Sequence, residues 1–281
     1  MPMSYKLRIL SLGAGVQSTT ILLMSHHGEL PKLDAAIFSD TGWEREATYL
    51  WLDYLRSIVS IPIITVSGGN VREDMREAQV RGLKKDGVRW ANMPFYTRDR
   101  STGNLGMLRR QCTREYKIEP IRKELRLMLG LVPRQRAPQG AVEQWVGISV
   151  DEAHRVWARS PDRMSTIRYP LIDMTTMTRN DCLRWLERKG YPIPPKSACI
   201  GCPFHSNREW SDLNEAEFLD AVDFDEMIRN KGGMKGDIFI HRSCVPLAEV
   251  DLRNGDEKLG QQYFDFVKDE KLNLFVRNLD L

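Results

Sequence analysis

Three short apolar runs near the N-terminus, Lys6 to Ser11, Leu33 to Ser39 and Ile61 to Val66, alternate with two segments of helical spacing. The first helical segment opens at Gln17-Ser18-Thr19-Thr20 and continues through Ile21-Leu22-Leu23-Met24; the second covers Trp43 to Val59. Strands separated by helices cannot close as tight hairpins, so each crossover returns the next strand parallel to the last. Such crossovers are right-handed, which gathers the helix N-termini at one edge of the sheet. Glu143 to Ser149 and Ile167 to Ile172 read as a fourth and a fifth strand of the same sheet.

The predicted class is therefore α/β: a Rossmann-like parallel sheet of about five strands flanked by helices. Arg114 to Gly130 is predicted helical, with Pro120 as a kink or an inner start. Thr178 to Lys189 is a helix with Thr178 or Asn180 as N-cap and Gly190 as its stop. Gly82 to Gln111 is polar and without period, and reads as a long functional loop. Pro192-Ile193-Pro194-Pro195 breaks the chain, and beyond Ser206 the sequence is more charged and helical. This divides it into a nucleotide-binding domain over residues 1–205 and a helical C-terminal extension over 206–281. With 42% hydrophobic and 28% charged residues in 281, the composition excludes disordered, collagenous and coiled-coil classes. No run approaches about 18 apolar residues, and Met1 to Leu10 carries no secretory signal, so a cytoplasmic protein without a membrane partner is expected. A net charge of +3 neither announces nor excludes nucleic acid.

The loop after the first strand, Gly13-Ala14-Gly15, is made of small residues and feeds a helix whose first turn carries Ser18, Thr19 and Thr20. Small residues let backbone N–H groups approach an anion, and the helix N-terminus adds partial positive charge. A tight turn with an N-cap serine is the other reading. The loop is neither a Walker A sequence nor a G-x-G-x-x-G fingerprint.

Cysteine supplies the second chemical signal. There are five, Cys112, Cys182, Cys199, Cys202 and Cys244. An odd number in a reducing compartment argues against a disulfide framework. Cys199-Ile200-Gly201-Cys202 is a C-x2-C pair, suited to a metal or cluster, or to redox work. Cys182, inside a predicted helix, reads as a small core residue.

Gly13-Ala14-Gly15-Val16-Gln17-Ser18 resembles the PP-loop Ser-Gly-Gly-x-Asp-Ser of the N-type ATP pyrophosphatases and phosphoadenosine phosphosulfate (PAPS) reductases. Gly15 and Ser18 match directly, and Gln17 replaces the usual aspartate, removing a carboxylate from beside the phosphates. Three further segments are similar to those of PAPS reductases in the same order. They are Ile37 to Glu44 around Asp40-Thr41-Gly42, then Gly147 to Glu152 with Arg155, and Tyr169 to Asp173 followed by Asp181 and Trp185.

The resemblance covers about residues 7–205 and implies an adenine nucleotide, ATP or PAPS, above the sheet edge. It implies phosphate contacts from Gly13, Ala14, Gly15, Gln17, Ser18 and Thr19, with Gly147 alongside. Asp40, Thr41 and Gly42 would lie beside the adenosine, Ser18, Asp40 and Arg155 would act in catalysis, and Mg2+ would accompany the nucleotide. Cys112 to Ile121 is similar to the Cys-Cys-x-x-x-Lys-x-x-Pro-Leu run of cluster-bearing sulfate reductases, with Gln111 in place of the first cysteine. The resemblance therefore implies a [4Fe–4S] cluster on Cys112, Cys199 and Cys202, with Cys244 as a fourth ligand or one iron open. Lys117 and Arg114 would offset its charge. A zinc site that also uses His205, a redox pair and inert thiols are the alternatives.

The activity this implies is ATP-dependent sulfur transfer, with a sulfur donor and an RNA, DNA or small-molecule acceptor; a homodimer is left open. PAPS or adenylyl-sulfate reduction is the rival, although it needs a mobile C-terminal cysteine and the last one here is Cys244. A non-catalytic nucleotide binder is the third reading, favoured by Gln17. Outside the motifs, His205 reads as a partly exposed polar residue, and His26 and His27 as cations suited to a helix C-terminus. Arg109-Arg110, Arg122-Lys123 and Arg134 with Arg136 read as a solvated surface or a nucleic-acid face.

Overall fold

The computed structural model describes residues 6–81, 93–156, 162–230 and 234–253. The first half runs β1 (Leu7–Leu12), α1 (Val16–His26), β2 (Ala35–Asp40), α2 (Glu46–Ile58), β3 (Ile63–Ser67), α3 (Val71–Arg81), β4 (Tyr96–Asp99) and β5 (Leu105–Met107). There follow α4 (Glu119–Met128), β6 (Val142–Val146), β7 (Ser165–Arg168), α5 (Pro170–Asp173) and α6 (Arg179–Arg188). The described chain continues with α7 (Asn207–Ser211), α8 (Glu215–Ile228) and β8 (Gly236–Phe239). A π-helical turn over Thr113–Ile118 leads directly into α4, and a 3-10 turn spans Val150–Arg155.

The main sheet has the order β3-β2-β1-β6-β7 and is parallel throughout. Its alternation explains why these sequences became strands. Along β1 and β2, Leu10, Leu12, Ala36 and Phe38 enter a core under α1, α2 and α6. Ile9, Ala35 and Ile37 point the other way, toward Ile121 and Leu125 of α4. A sheet covered on both faces needs apolar residues on both. Helix α1 lies so deep that even Thr19 and Thr20 are buried, with Thr20 returning its hydroxyl to the Val16 carbonyl at 2.9 Å.

Helix α6 starts where a capping residue allows. Thr178 is its N-cap and exchanges bonds with Asp181 in a capping box, and Gly190 at φ 76° follows its end. Pro120 marks an inner start, in the first turn of α4 where the π-helical turn ends, and the Tyr116 carbonyl four residues back accepts from the Ser39 hydroxyl at 2.6 Å in place of the N–H that proline lacks.

Three expectations are corrected. The fifth strand runs over Ser165–Arg168 rather than 167–172, because Pro170 opens a helical turn there. The stretch from Gly82 to Gln111 is not all loop. Residues 82–92 lie outside the described residues, but β4 and β5 form a hairpin, and β8 adds to its free side in a three-stranded antiparallel sheet. The segment after 205 thus carries a strand as well as helices α7 and α8. A second core joins the two sides of that boundary, packing Trp43, Val71 and Met75 against Trp210, Phe224, Ile238 and Leu247. Residues 254–281 of the predicted extension lie outside the described residues. Among the described residues, no helix is long and apolar enough to cross a membrane.

Candidate functional site

The strand order reverses between β1 and β6, since the chain builds outward through β2 and β3 and then crosses to the other side. In open parallel sheets the crevice at that reversal, beyond the strand C-termini, is where ligands sit. The loop from Gly13 to Gly15 leaves β1 there, and Gly147 leaves β6 beside it. Ala14 holds a left-handed φ of 55°, which costs an alanine roughly 1 kcal/mol and bends the loop toward α1. Ser18 braces it, accepting from the Gly13 N–H at 3.2 Å and donating to the Gly15 carbonyl at 3.3 Å. A Cβ on Gly147 would stand 2.8 Å from the Ser18 nitrogen, so glycine is what lets the two loops meet. Gly15 is the N-cap of α1 without a side-chain cap, which leaves backbone donors of the first turn for a ligand.

A cavity of about 520 Å³ opens over this junction. Its walls bring together the Gly13–Ser18 loop, Gly147, four cations (Arg110, Arg155, Arg179 and Lys196), two carboxylates (Glu152 and Glu209), and Cys202 with His205. Glu152 is engaged by Arg155 at 2.6 Å and by the Gln17 amide at 3.0 Å. Glu209 is engaged by Lys196 at 2.9 Å. The Arg179 guanidinium reaches the neutral Gln17 Oε1, at 3.5 Å, while its backbone N–H donates to Asp151 at 3.0 Å, and Arg110 lies over the exposed Phe204 ring, 5.3 Å from its centroid. Four cations against two carboxylates leave the cavity with surplus positive charge, the electrostatics of an anion site, with Arg155 and Arg179 toward the α1 end and Arg110 and Lys196 toward Cys202 and Glu209. Burial would raise the Glu209 carboxyl, but the Ser206 backbone N–H and hydroxyl and Lys196 outweigh it and bring it down to about 2.

The sulfur-bearing side is assembled from distant segments. Cys199 pairs with Glu44 in an isolated antiparallel bridge, and the Ile200 N–H donates to the Trp43 carbonyl at 2.9 Å. The turn closes with the Cys202 N–H on the Cys199 carbonyl at 3.1 Å. Gly201 makes it possible, since a Cβ there would fall 2.0 Å from Trp43 Cη2. Thr41 Oγ1 lies 3.2 Å from Cys199 Sγ and donates to Glu44 at 2.9 Å. From the π-helical turn, Lys117 Nζ comes within 3.6 Å of the same buried Glu44, whose other oxygen, Oε2, has no partner.

Burial, reinforced by the Glu44 carboxylate, pushes the Cys199 thiol well above its ordinary value. Burial raises Cys202 too, and the neighbouring Cys112 adds to it. For Lys117 burial alone would lower the pKa; the charges of Glu44, Cys199 and Cys202 overcome it and hold the ammonium above its usual range. All five cysteines are free thiols.

The predicted residues thus divide. Gly13, Gly15, Gln17, Ser18, Gly147, Arg155 and Cys202 line one cavity. Ala14 is fully buried within the loop and Thr19 behind it, where Thr19 accepts from the Trp51 indole at 3.2 Å. Asp40 caps its own turn, accepting from the Gly42 N–H at 2.7 Å and the Tyr49 hydroxyl at 2.9 Å. Thr41 faces Cys199 rather than the phosphate loop. Cys112 and Cys199 pack against the second core. Cys244 is buried with its Sγ toward the Thr97 carbonyl at 3.8 Å, and Tyr96 feels both it and Cys202. Cys182 is fully buried, as a core residue.

His205 corrects an expectation. It is buried, packs edge-on against Trp210 with centroids 4.6 Å apart, leaves Nδ1 unpartnered, and burial lowers its pKa to about 4. Arg179, Lys196 and Glu209 were not legible as site residues, because long-range packing, not local spacing, brings them in. Among the described residues, no group of three or more His, Cys, Asp or Glu is gathered tightly enough to hold a metal ion. As a donor set Cys112, Cys199 and Cys202 nevertheless offer three soft sulfur ligands, with the half-buried Lys117 ammonium at hand to balance charge. No protein-family model matches the chain, and no curated protein matches it.

Proposed function

We propose that this chain is an ATP-dependent sulfur transferase of the PP-loop, PAPS reductase-like kind, working in the reducing cytoplasm where its thiols stay free. One observation carries the reading: a single cavity runs from an anion-binding loop, past four cations, to a cysteine of the C-x2-C turn. The α1 N-terminus, Ser18 and the Gly15 backbone hold the nucleotide phosphates, and Arg155, Arg179 and Lys196 neutralise charge that builds on the pyrophosphate as it leaves. An acceptor oxygen attacks the α-phosphorus, pyrophosphate departs, and a donor sulfur at the sulfide level then replaces that oxygen as AMP leaves. Cys112, Cys199 and Cys202 would hold an iron–sulfur cluster, which supplies an iron able to carry sulfur. Lys117 offsets the thiolate charge from the protein side. Mg2+ would accompany the phosphates, with Glu152 a carboxylate of the same cavity.

Two features weigh against the other readings. A reductase needs a mobile cysteine, and Cys244 is only 1% exposed. A lapsed binding module was suggested by Gln17, but the Gln17 amide anchors Glu152 at the same cavity, so a carboxylate is retained there. The test is anaerobic purification, iron and sulfide analysis, and an assay for pyrophosphate from ATP with candidate acceptors and a sulfide source. Iron together with acceptor-dependent pyrophosphate release supports the proposal. Sulfite from PAPS and thioredoxin would replace it with reduction, and tight ATP binding with no turnover would replace it with a binding module.

A further inference from the structure

A second cavity, of about 400 Å³, lies at the opposite edge of the sheet, lined by Arg122, Arg126, Arg136 and Arg163 with Asp162 and Gln135 among the remaining residues. Its wall comes from α4, through Arg122 and Arg126, and from the segments that enter β6 and β7. Those strands run from this edge to the nucleotide edge, so the two cavities are separated by a strand length, roughly 15 Å.

The charge here is poorly compensated. Asp162 spends one oxygen on the Met164 and Ser165 N–H groups, each at 2.8 Å, and the other pairs with Arg122 at 3.4 Å. Arg126 donates to two neutral carbonyls, Val132 at 3.2 Å and Gln135 at 2.8 Å. Arg163 donates to the neutral amide of Gln139 at 3.1 Å. No hydrogen bond or ion pair reaches Arg136 from the described residues. Three guanidinium groups therefore share a concavity without a carboxylate of their own, two of them pinned in place by neutral acceptors. Pinned guanidiniums lose little freedom on meeting phosphate, and their planar forks match phosphate oxygens. The lining residues include no aromatic ring to stack a base.

We infer that this cavity binds the phosphodiester backbone of nucleic acid without reading its sequence. The contact is of the positioning kind, made to phosphates and not to base edges. It is separate from the sulfur-transfer site, so either assignment can fail without the other.

The experiment is fluorescence anisotropy of a short labelled single-stranded oligonucleotide on the full chain across a series of salt concentrations, with and without saturating ATP. Binding should weaken with salt at a log–log slope of about −2 to −3, as expected for three to four neutralised phosphates, and ATP should not compete. Arg136→Gln with Arg163→Gln should weaken binding roughly tenfold and make the slope less negative by about 1.5, while the thermal midpoint holds. If the double variant does not fold, Arg136→Gln alone should show a smaller loss of the same sign. Several results would overturn the inference. They are salt-insensitive or absent binding, variants that bind like the parent, displacement of the oligonucleotide by ATP, and tight pyrophosphate binding at these arginines with no oligonucleotide bound.

Discussion

The two ends of the main cavity are built on different principles. The backbone of the phosphate end is local: Gly13 to Thr19 form loop, bend and helix start within one short stretch, to which Gly147 and the side chains of Glu152, Arg155 and Arg179 are added from elsewhere. The sulfur end is tertiary: Trp43 and Glu44, Lys117 and the Cys199–Cys202 turn hold one another in place, with Trp210 and His205 behind them. A local device survives damage elsewhere in the fold. A tertiary one fails as a unit, because each of its members is positioned by the rest.

The largest expected effect strikes the tertiary end. Gly201→Val would drive methyl groups into Trp43, where even a Cβ stands only 2.0 Å from the indole. Overpacking of this kind costs about 3 kcal/mol, and chemical denaturation should show it together with loss of any bound iron, while ATP affinity changes little. Equal loss of ATP affinity would show that the two ends are not separable.

His205 gives a pH-dependent version of the same contrast. Its ring stays neutral in the fold down to about pH 4, whereas the unfolded chain takes up that proton near pH 6.5. The unfolded state binds the extra proton between those values, so stability falls as pH drops from 6.5 toward 4 and levels off below. The loss approaches 3 kcal/mol, and His205→Gln should flatten it in urea titrations across that window.

At the local end, Gly147→Ala pushes a methyl against the Ser18 nitrogen. It should cost about 1–2 kcal/mol of stability and weaken ATP binding, measured by calorimetry, without altering iron content. Glu44→Gln removes the partner of Lys117. Since 38% of the Lys117 side chain is exposed, solvent screens the pair and the cost should be near 1 kcal/mol in thermal unfolding. The ordering sharpens the comparison: effects on iron should follow substitutions at 44, 201 and 205, and effects on ATP those at 147.

How much could be read from the chain follows the same division. Four of the five parallel strands declared themselves as short runs rich in apolar residues between helical segments, which a sheet buried on both faces demands; the fifth, Ser165–Arg168, carries only Ile167 as an apolar residue. The loop at 13–18 was legible for the same local reason. The hairpin of β4 and β5 was not: Tyr96-Thr97-Arg98-Asp99 is polar, and it needs β8, far along the chain, to complete its sheet. Ile167 to Ile172 misled at its end because Pro170 belongs to a helix start, not to an apolar strand. Arg179, Lys196 and Glu209 carried no local signature at all; each reached the cavity on an element whose own sequence concerns capping or packing.

The Gln17–Glu152 contact has a consequence for how such a loop can vary. An amide at position 17 can donate to a carboxylate at 152, whereas Gln17→Asp would remove that donor and set a second negative charge in the same cradle. The two positions are thus coupled partners: acid is tolerated at one only while the other stays neutral. Among descendants of this chain, a switch at residue 17 should travel with a compensating switch at residue 152, leaving the charge of the cradle unchanged while its author moves from the helix to the turn opposite.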